Sequence, residues 1–206
     1  MSRSARLCVM NGMDRDSELA LVGRLRAGDP DAFDVVHECF NTRLFNFLAR
    51  LSRRREVAED LLEETWLRLV ARAAHLQADT RLGPWLFTVA RNLYVSYRRS
   101  RMLEDSHAVG LIGLWPSGSA PSSPFDLAVA SEAGRRIDAA MGALPLAYRE
   151  ALLLVVVEGL RPAEAASVCG ISPEAMRQRL SRARAALAAS LDVDEPALAT
   201  LNEVPI

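Results

Sequence analysis

Two segments of this chain carry residue types suited to nucleic acid. The first, Pro84–Arg101, interleaves Trp85, Phe87, Tyr94 and Tyr97 with Arg91, Arg98, Arg99 and Arg101. Aromatic rings stack on unpaired bases, and guanidiniums hold phosphates and add cation–π support. The mix suits single-stranded or opening DNA better than an intact duplex. Trp85, Phe87 and Val89 would serve equally as core residues. The second segment is Ser172–Leu191. At helical spacing Met176, Leu180, Ala183, Leu187 and Leu191 fall in one apolar stripe. Glu174, Gln178, Ser181 and Ala185 lie opposite, with Arg177 and Arg184 along one margin and Arg179 and Arg182 along the other. A helix in a major groove presents short polar groups to base edges and cations to both phosphate walls. A bundle helix with Arg chosen for solubility is the plainer alternative.

A third cluster is acidic: Glu56, Glu59, Asp60, Glu63 and Glu64 gather on one side of a helical pattern. It is either a solvated face or a dock for a basic partner, and composition does not choose. No nucleophile–base pair, metal cluster or phosphate loop is evident, so no catalytic residue, metal or cofactor is expected. Cys8, Cys39 and Cys169 are odd in number, far apart and without a C-x-x-C pair. They signal neither a disulfide framework nor a zinc site.

The elements that must position these residues are all helical in pattern. Apolar residues recur at helical spacing in 17–27, 31–51 and 56–76, and Pro84 suits the first turn of a fourth helix ending near Arg101. Further helices are expected at about 126–143, 145–158, 162–169 and 172–191. Val155–Val157 is the best strand candidate, but its helical flanks outweigh it. Pro162–Val168, the turn Cys169-Gly170-Ile171 and the helix from Ser172 have helix-turn-helix layout. Gly170 suits a left-handed turn position, Ser172 an N-cap and Pro173 the first helical position. Between the halves, PSGSAPSSP (116–124) reads as a linker. The expected fold is therefore all-α, with two small helical domains on a flexible linker and a helix-turn-helix in the second. The expected boundaries are an extension without structure at 1–13, a first domain at 14–103, a linker at 104–126, a second domain at 127–191 and an acidic tail at 192–206.

The chain has 206 residues, half of them apolar, too many for a disordered chain. Its 25 basic residues are all Arg, against 26 acids, for a formal net charge of −1. That total argues against nucleic acid only until it is divided. The Arg residues concentrate in the two segments above, and the linker, tail and residues 29–40 are acidic. No apolar run approaches the ~18–20 residues of a membrane span, and the N-terminus lacks the apolar region of a secretory signal. A reduced, cytoplasmic protein is expected. MDRDSELALVGRL, from Met13, reads as a natural start.

REVAEDLLEETWLRL with GPWLFTVARNLYVSYRRSR resembles region 2 of the extracytoplasmic-function (ECF) sigma factors of the sigma-70 family. ALPLAYREALLLVVVEGLRPAEAASVCGISPEAMRQRLSRARAAL resembles their region 4. The resemblance implies a factor that binds core RNA polymerase and initiates transcription at chosen promoters. It implies that the helix spanning Ala58–Leu69 docks on the polymerase clamp helices, with Asp60, Glu63 and Glu64 as contacts. It assigns the minus-ten element to Trp85, Arg91, Asn92, Tyr94, Arg98 and Arg99. It assigns the minus-thirty-five element to Glu174, Ala175, Arg177, Gln178, Ser181 and Arg182, with region 4 also packing on the polymerase flap. An anti-sigma factor is the expected regulator. Arg161-Pro162-Ala163 and Met176-Arg177-Gln178 depart from the family's usual residues, and so does the apolar cluster Val109–Trp115. That cluster is either a packing segment or a regulator's docking site. The competing function is a helix-turn-helix regulator that binds duplex DNA without polymerase, which would leave the aromatic-basic helix idle.

Overall fold

The computed structural model describes residues 14–108 and 132–192. The expected extension at 1–13, the cluster Val109–Trp115, the linker core and the tail past 192 lie outside the described residues. Among the described residues all regular structure is helical. The chain divides into two compact units, at residues 120 and 121.

The first unit holds α1 (Arg15–Arg26), α2 (Pro30–Ser52), α3 (Arg55–Arg72, followed by a 3-10 turn at Ala73–His75) and α4 (Leu82–Ala108). Side-chain caps set the first two starts. Asp14 accepts a hydrogen bond from the Ser17 backbone, and Asp29 accepts one from Asp31 with Pro30 at the first helical position. Both carboxyls sit below the usual range. For Asp14 the main cause is the Ser17 hydroxyl, and for Asp29 it is the Arg24 guanidinium. Gly28, at φ 77°, supplies the turn between α1 and α2.

Three contacts fix how the helices run. The Phe40 ring approaches to 3.5 Å of where a Cβ on Gly83 would stand. Phe47 and Phe87 meet edge to face at 5.2 Å. The Tyr94 hydroxyl donates to the Leu51 carbonyl at 2.8 Å. Residue numbers rise together on both helices, so α2 and α4 run parallel. Trp66 Nε1–H donates to Asn41 Oδ1 at 3.0 Å while Arg55 lies over Phe45, so α3 runs antiparallel to α2. Leu44, Leu48, Leu69, Leu82 and Leu86 fill the space between them, fully buried. At about 1.5–3 kcal/mol for each such side chain, this core is the main stabilising term of the unit.

α4 exceeds its expected span at both ends. It begins two residues before Pro84, whose missing N–H falls in the first turn, where none is needed. It runs past Arg101 to Ala108, because no Gly or Pro follows Pro84 before Gly110. The expected linker start at 104 therefore falls inside this helix.

The second unit holds α5 (Glu132–Ala143), α6 (Leu146–Leu152), α7 (Pro162–Cys169) and α8 (Pro173–Asp192). α6 continues as a π-helical segment over Leu153–Val157, where the Glu158 N–H reaches the Leu153 carbonyl. The strand candidate Val155–Val157 is thus helical. Arg149 closes the end of α5, its guanidinium donating to the carbonyls of Met141, Gly142 and Leu144 at 3.1, 2.6 and 3.1 Å. These are end-of-helix acceptors that the helix itself cannot satisfy. Gly170 sits at φ 66°, as the turn between α7 and α8 requires. Cys169 is buried and takes no part in a disulfide. Cys39 is disulfide-bonded, where the number and spacing of the cysteines signalled no disulfide framework. Spacing along the chain carried no signal of that pairing.

Candidate nucleic-acid interface

α4 is held at its start by a residue sixty-four positions away. The Leu82 N–H donates to Glu18 Oε1 at 2.8 Å in a buried setting. The other oxygen of Glu18 takes the guanidiniums of Arg15 and Arg81 at 2.7 and 3.0 Å. Arg15 also donates to the Asp79 carbonyl at 2.6 Å. One side chain of α1 therefore caps α4 and gathers the two cations beside it. A carboxylate is favourable there because the first turn of a helix presents unsatisfied N–H groups.

Beyond that cap, helical phase sorts the six residues assigned to the minus-ten element into three groups. Trp85, Asn92 and Arg99 are seven apart and form one row along the open side of α4. Trp85 is half-buried, while Asn92 and Arg99 are exposed. Arg91 and Arg98 lie on another side, flanking Tyr94 by three and four residues. Tyr94 itself faces inward, 6% exposed, with its hydroxyl bound to Leu51. This placement sets Tyr94 apart from the other five residues assigned to the minus-ten element. Gly83, Phe87, Ala90 and Tyr94 form the stripe that packs on α2. That spacing is visible in the sequence.

In the second unit, all six residues assigned to the minus-thirty-five element lie on the outer side of α8. Glu174, Arg177, Gln178, Ser181 and Arg182 are exposed and Ala175 is half-buried. Met176, Leu180 and Ala183 are buried beneath them, as the stripe predicts. Leu187 and Leu191 are only half-buried, so the packed face thins toward the end. Ser172 caps the helix, its Oγ accepting from the Ala175 N–H at 3.1 Å. Arg177 is paired with Glu174, one turn earlier. The pair is exposed on both sides, so it yields readily to a phosphate or base. At the start of α7, Glu164 accepts from the backbone N–H and the guanidinium of Arg161 at 3.0 and 2.8 Å.

On α3, Asp60 and Glu63 are exposed, while Glu64 is half-buried and engaged by Arg68 at 2.8 Å. Sequence reasoning missed two residues here. Leu67 and Val70 are 57% and 60% exposed. Asp60, Glu63, Leu67 and Val70 follow one another at three- and four-residue steps, so acids and uncovered apolar groups share one stripe. Large exposed aliphatics in an otherwise charged helix face were the available signal. Behind the stripe, Trp66 is fixed by Asn41 and by His37, whose ring lies 4.8 Å away.

Comparison with known proteins bears on these surfaces. Residues 36–104 match the family described as Sigma-70 region 2, and residues 134–187 match Sigma-70, region 4. The chain is 36% identical over 148 residues to the ECF RNA polymerase sigma factor EcfG of Rhodopseudomonas palustris, covering 72% of this chain and 78% of that one. It is 31% identical over 156 residues to the ECF RNA polymerase sigma factor SigM of Bacillus subtilis, covering 76% and 93%. Its fold resembles that of the sigma factor RpoE from Bartonella quintana, solved in complex with the anti-sigma factor NepR. The TM-score is 0.57 at 26% identity, covering 87% of this chain and 97% of that one. With both regions present in order and relatives aligned over most of its length, the chain belongs to the ECF RNA polymerase sigma factors of the sigma-70 family.

Proposed function

We propose that this sigma factor divides promoter recognition between its two units and docks on core RNA polymerase through α3. The open row of α4, Trp85, Asn92 and Arg99, meets the bases of the minus-ten element as the duplex opens. Arg91 and Arg98 serve the adjoining phosphates, and Tyr94 holds the helix in place. On α8, Glu174, Ala175, Gln178 and Ser181 face the base edges of the minus-thirty-five element, with Arg177 and Arg182 at its margins. The stripe of Asp60, Glu63, Leu67 and Val70, with Glu64 beside it, lies against the clamp helices of the polymerase. Region 4 also meets the flap. The factor supplies binding energy and strand separation, and the polymerase supplies the chemistry.

The observation that carries this reading is the pairing of two outward Arg-lined helix faces, one in each region of a sigma-70 chain. A helix-turn-helix regulator acting without polymerase would use only the second. The reading places the protein in the cytoplasm with the polymerase; no helix among the described residues is long and apolar enough to cross a membrane. It also includes an anti-sigma factor as regulator, supported by the complex in which the Bartonella relative was solved.

Transcription reconstituted from core polymerase and this protein tests the proposal on genomic fragments. Defined start sites that disappear when the protein is omitted are expected, and Arg177→Ala reduces transcripts from promoters that need the upstream element. No start site from any fragment, or tight operator binding by the free protein without core, overturns it.

A further inference from the structure

A disulfide on α2 is at odds with the compartment in which this factor is proposed to act. Disulfides persist in oxidising compartments, and in a reducing cytoplasm those that form are usually transient and report on redox state. Cys39 lies on α2, half-buried, and is disulfide-bonded. The chain has three cysteines, and Cys169 is buried and takes no part in a disulfide. Within one chain the count leaves Cys8.

The surroundings of Cys39 say what such a bond would hold. Cys39 directly precedes Phe40, whose ring approaches Gly83 in the first turn of α4. One turn on, the Arg43 guanidinium lies over the rings of Phe40 and Phe87, at 5.3 and 5.7 Å. This side of α2 therefore borders the start of α4. The first helix meets the same place: Arg15 donates to the Asp79 carbonyl, and Glu18 caps α4 at Leu82. Cys8 precedes Asp14, the N-cap of α1, by six residues, a length of chain that reaches up to ~20 Å. A bond from Cys8 to Cys39 would close a loop around α1 and fasten it beside the helix start that Glu18 caps.

We propose that Cys8 and Cys39 form a redox switch that, when oxidised, locks α1 in place and, through Glu18, the start of α4. The switch rests on the cytoplasmic reading given above. A peroxide is the oxidant. One thiolate attacks a peroxide oxygen, the O–O bond breaks, and a sulfenic acid forms with release of water or an alcohol. The second thiol displaces water from that sulfur, and the S–S bond closes. Two electrons pass to the peroxide, and the two thiol protons end in the released products. A dithiol reverses the lock by two exchange steps and is itself oxidised to a disulfide. The locked factor holds α4 ready and opens promoters more readily than the reduced one.

The test begins with the full chain alone, oxidised by hydrogen peroxide and then alkylated. Peptide mapping by mass spectrometry shows a linked Cys8–Cys39 pair, and titration with reduced and oxidised glutathione opens the bond within the range of a reducing cytoplasm. Oxidation raises the melting temperature by several degrees and slows amide exchange over 82–87. Cys8→Ser and Cys39→Ser each lose both shifts and melt with the reduced wild type, whereas Cys169→Ser keeps them. For transcription the factor is oxidised and freed of peroxide before core polymerase is added. It then yields more open complexes than the reduced factor, a difference that Cys8→Ser and Cys39→Ser lose. A bond to Cys169, a bond between two chains, a bond that stays closed at every glutathione ratio, or equal yields from the two forms each overturns the proposal. If neither form gives a transcript, the proposed function fails, and the mapping and titration, which need no polymerase, decide the switch on their own.

Discussion

Tyr94 shows how residue type and residue direction part company. An aromatic between two arginines suits a DNA-reading helix, and the sequence reading placed it there. Its hydroxyl instead donates to the Leu51 carbonyl inside the unit. Tyr94→Phe removes one buried hydrogen bond while keeping the ring. It should destabilise the protein by about 1 kcal/mol. Promoter selectivity should be unchanged. Urea unfolding and transcription from a panel of minus-ten variants check the two halves of this. A change in base preference with unchanged stability would return Tyr94 to the DNA surface. Asn92 and Arg99 are both exposed, which is what the proposed reading of α4 needs of them. Leu67 and Val70 were not picked out, because an apolar residue in a helix pattern is by default assigned to the core.

At the scale of elements, helix starts were written locally and helix positions were not. Asp14, Asp29-Pro30 and Ser172-Pro173 sit beside the turns they cap, so their meaning is readable in a window of four residues. Glu18 caps α4 from α1, and a separation of sixty-four residues hides that from any window. Its removal should act on α4 in particular. Glu18→Ala strips the Leu82 N–H of its acceptor and leaves Arg15 and Arg81 facing each other. A destabilisation of about 2–3 kcal/mol is expected, in the range for a buried charge-assisted hydrogen bond. Glu18→Gln retains the acceptor for Leu82 and should lose about 1 kcal/mol. Amide hydrogen exchange over 82–87 should quicken in the Ala variant more than exchange in α2. Equal quickening throughout the unit would mean that Glu18 supports the fold at large and not the start of α4. The far end of α4 was also misjudged, by placing the stop at the last cation when the first residue able to end the helix is Gly110.

For the molecule as a whole, the near-zero net charge and the two Arg-lined helices require each other if promoter binding is to depend on the polymerase. Phosphate contacts give affinity for any sequence, so a strongly basic factor would be held by DNA at large. Acids placed elsewhere lower that attraction without touching the reading surfaces. Residues 193–206 contain Asp194, Glu195 and Glu203 and no basic residue. Deleting them should leave both helical units folded and leave transcription by the holoenzyme intact. The free truncated chain should bind random duplex DNA more tightly than the full chain at about 50 mM salt. The difference should vanish toward 1 M, where the Debye length is only about 3 Å. Fluorescence anisotropy across that salt range measures it directly. A gain that persists at high salt would point to direct masking of a binding face by the tail. No gain at any salt would mean that the DNA-facing helices do not sense the tail's charge. Dependence on polymerase would then have to come from the geometry that the polymerase imposes on the two units, and not from the charge balance of the free chain.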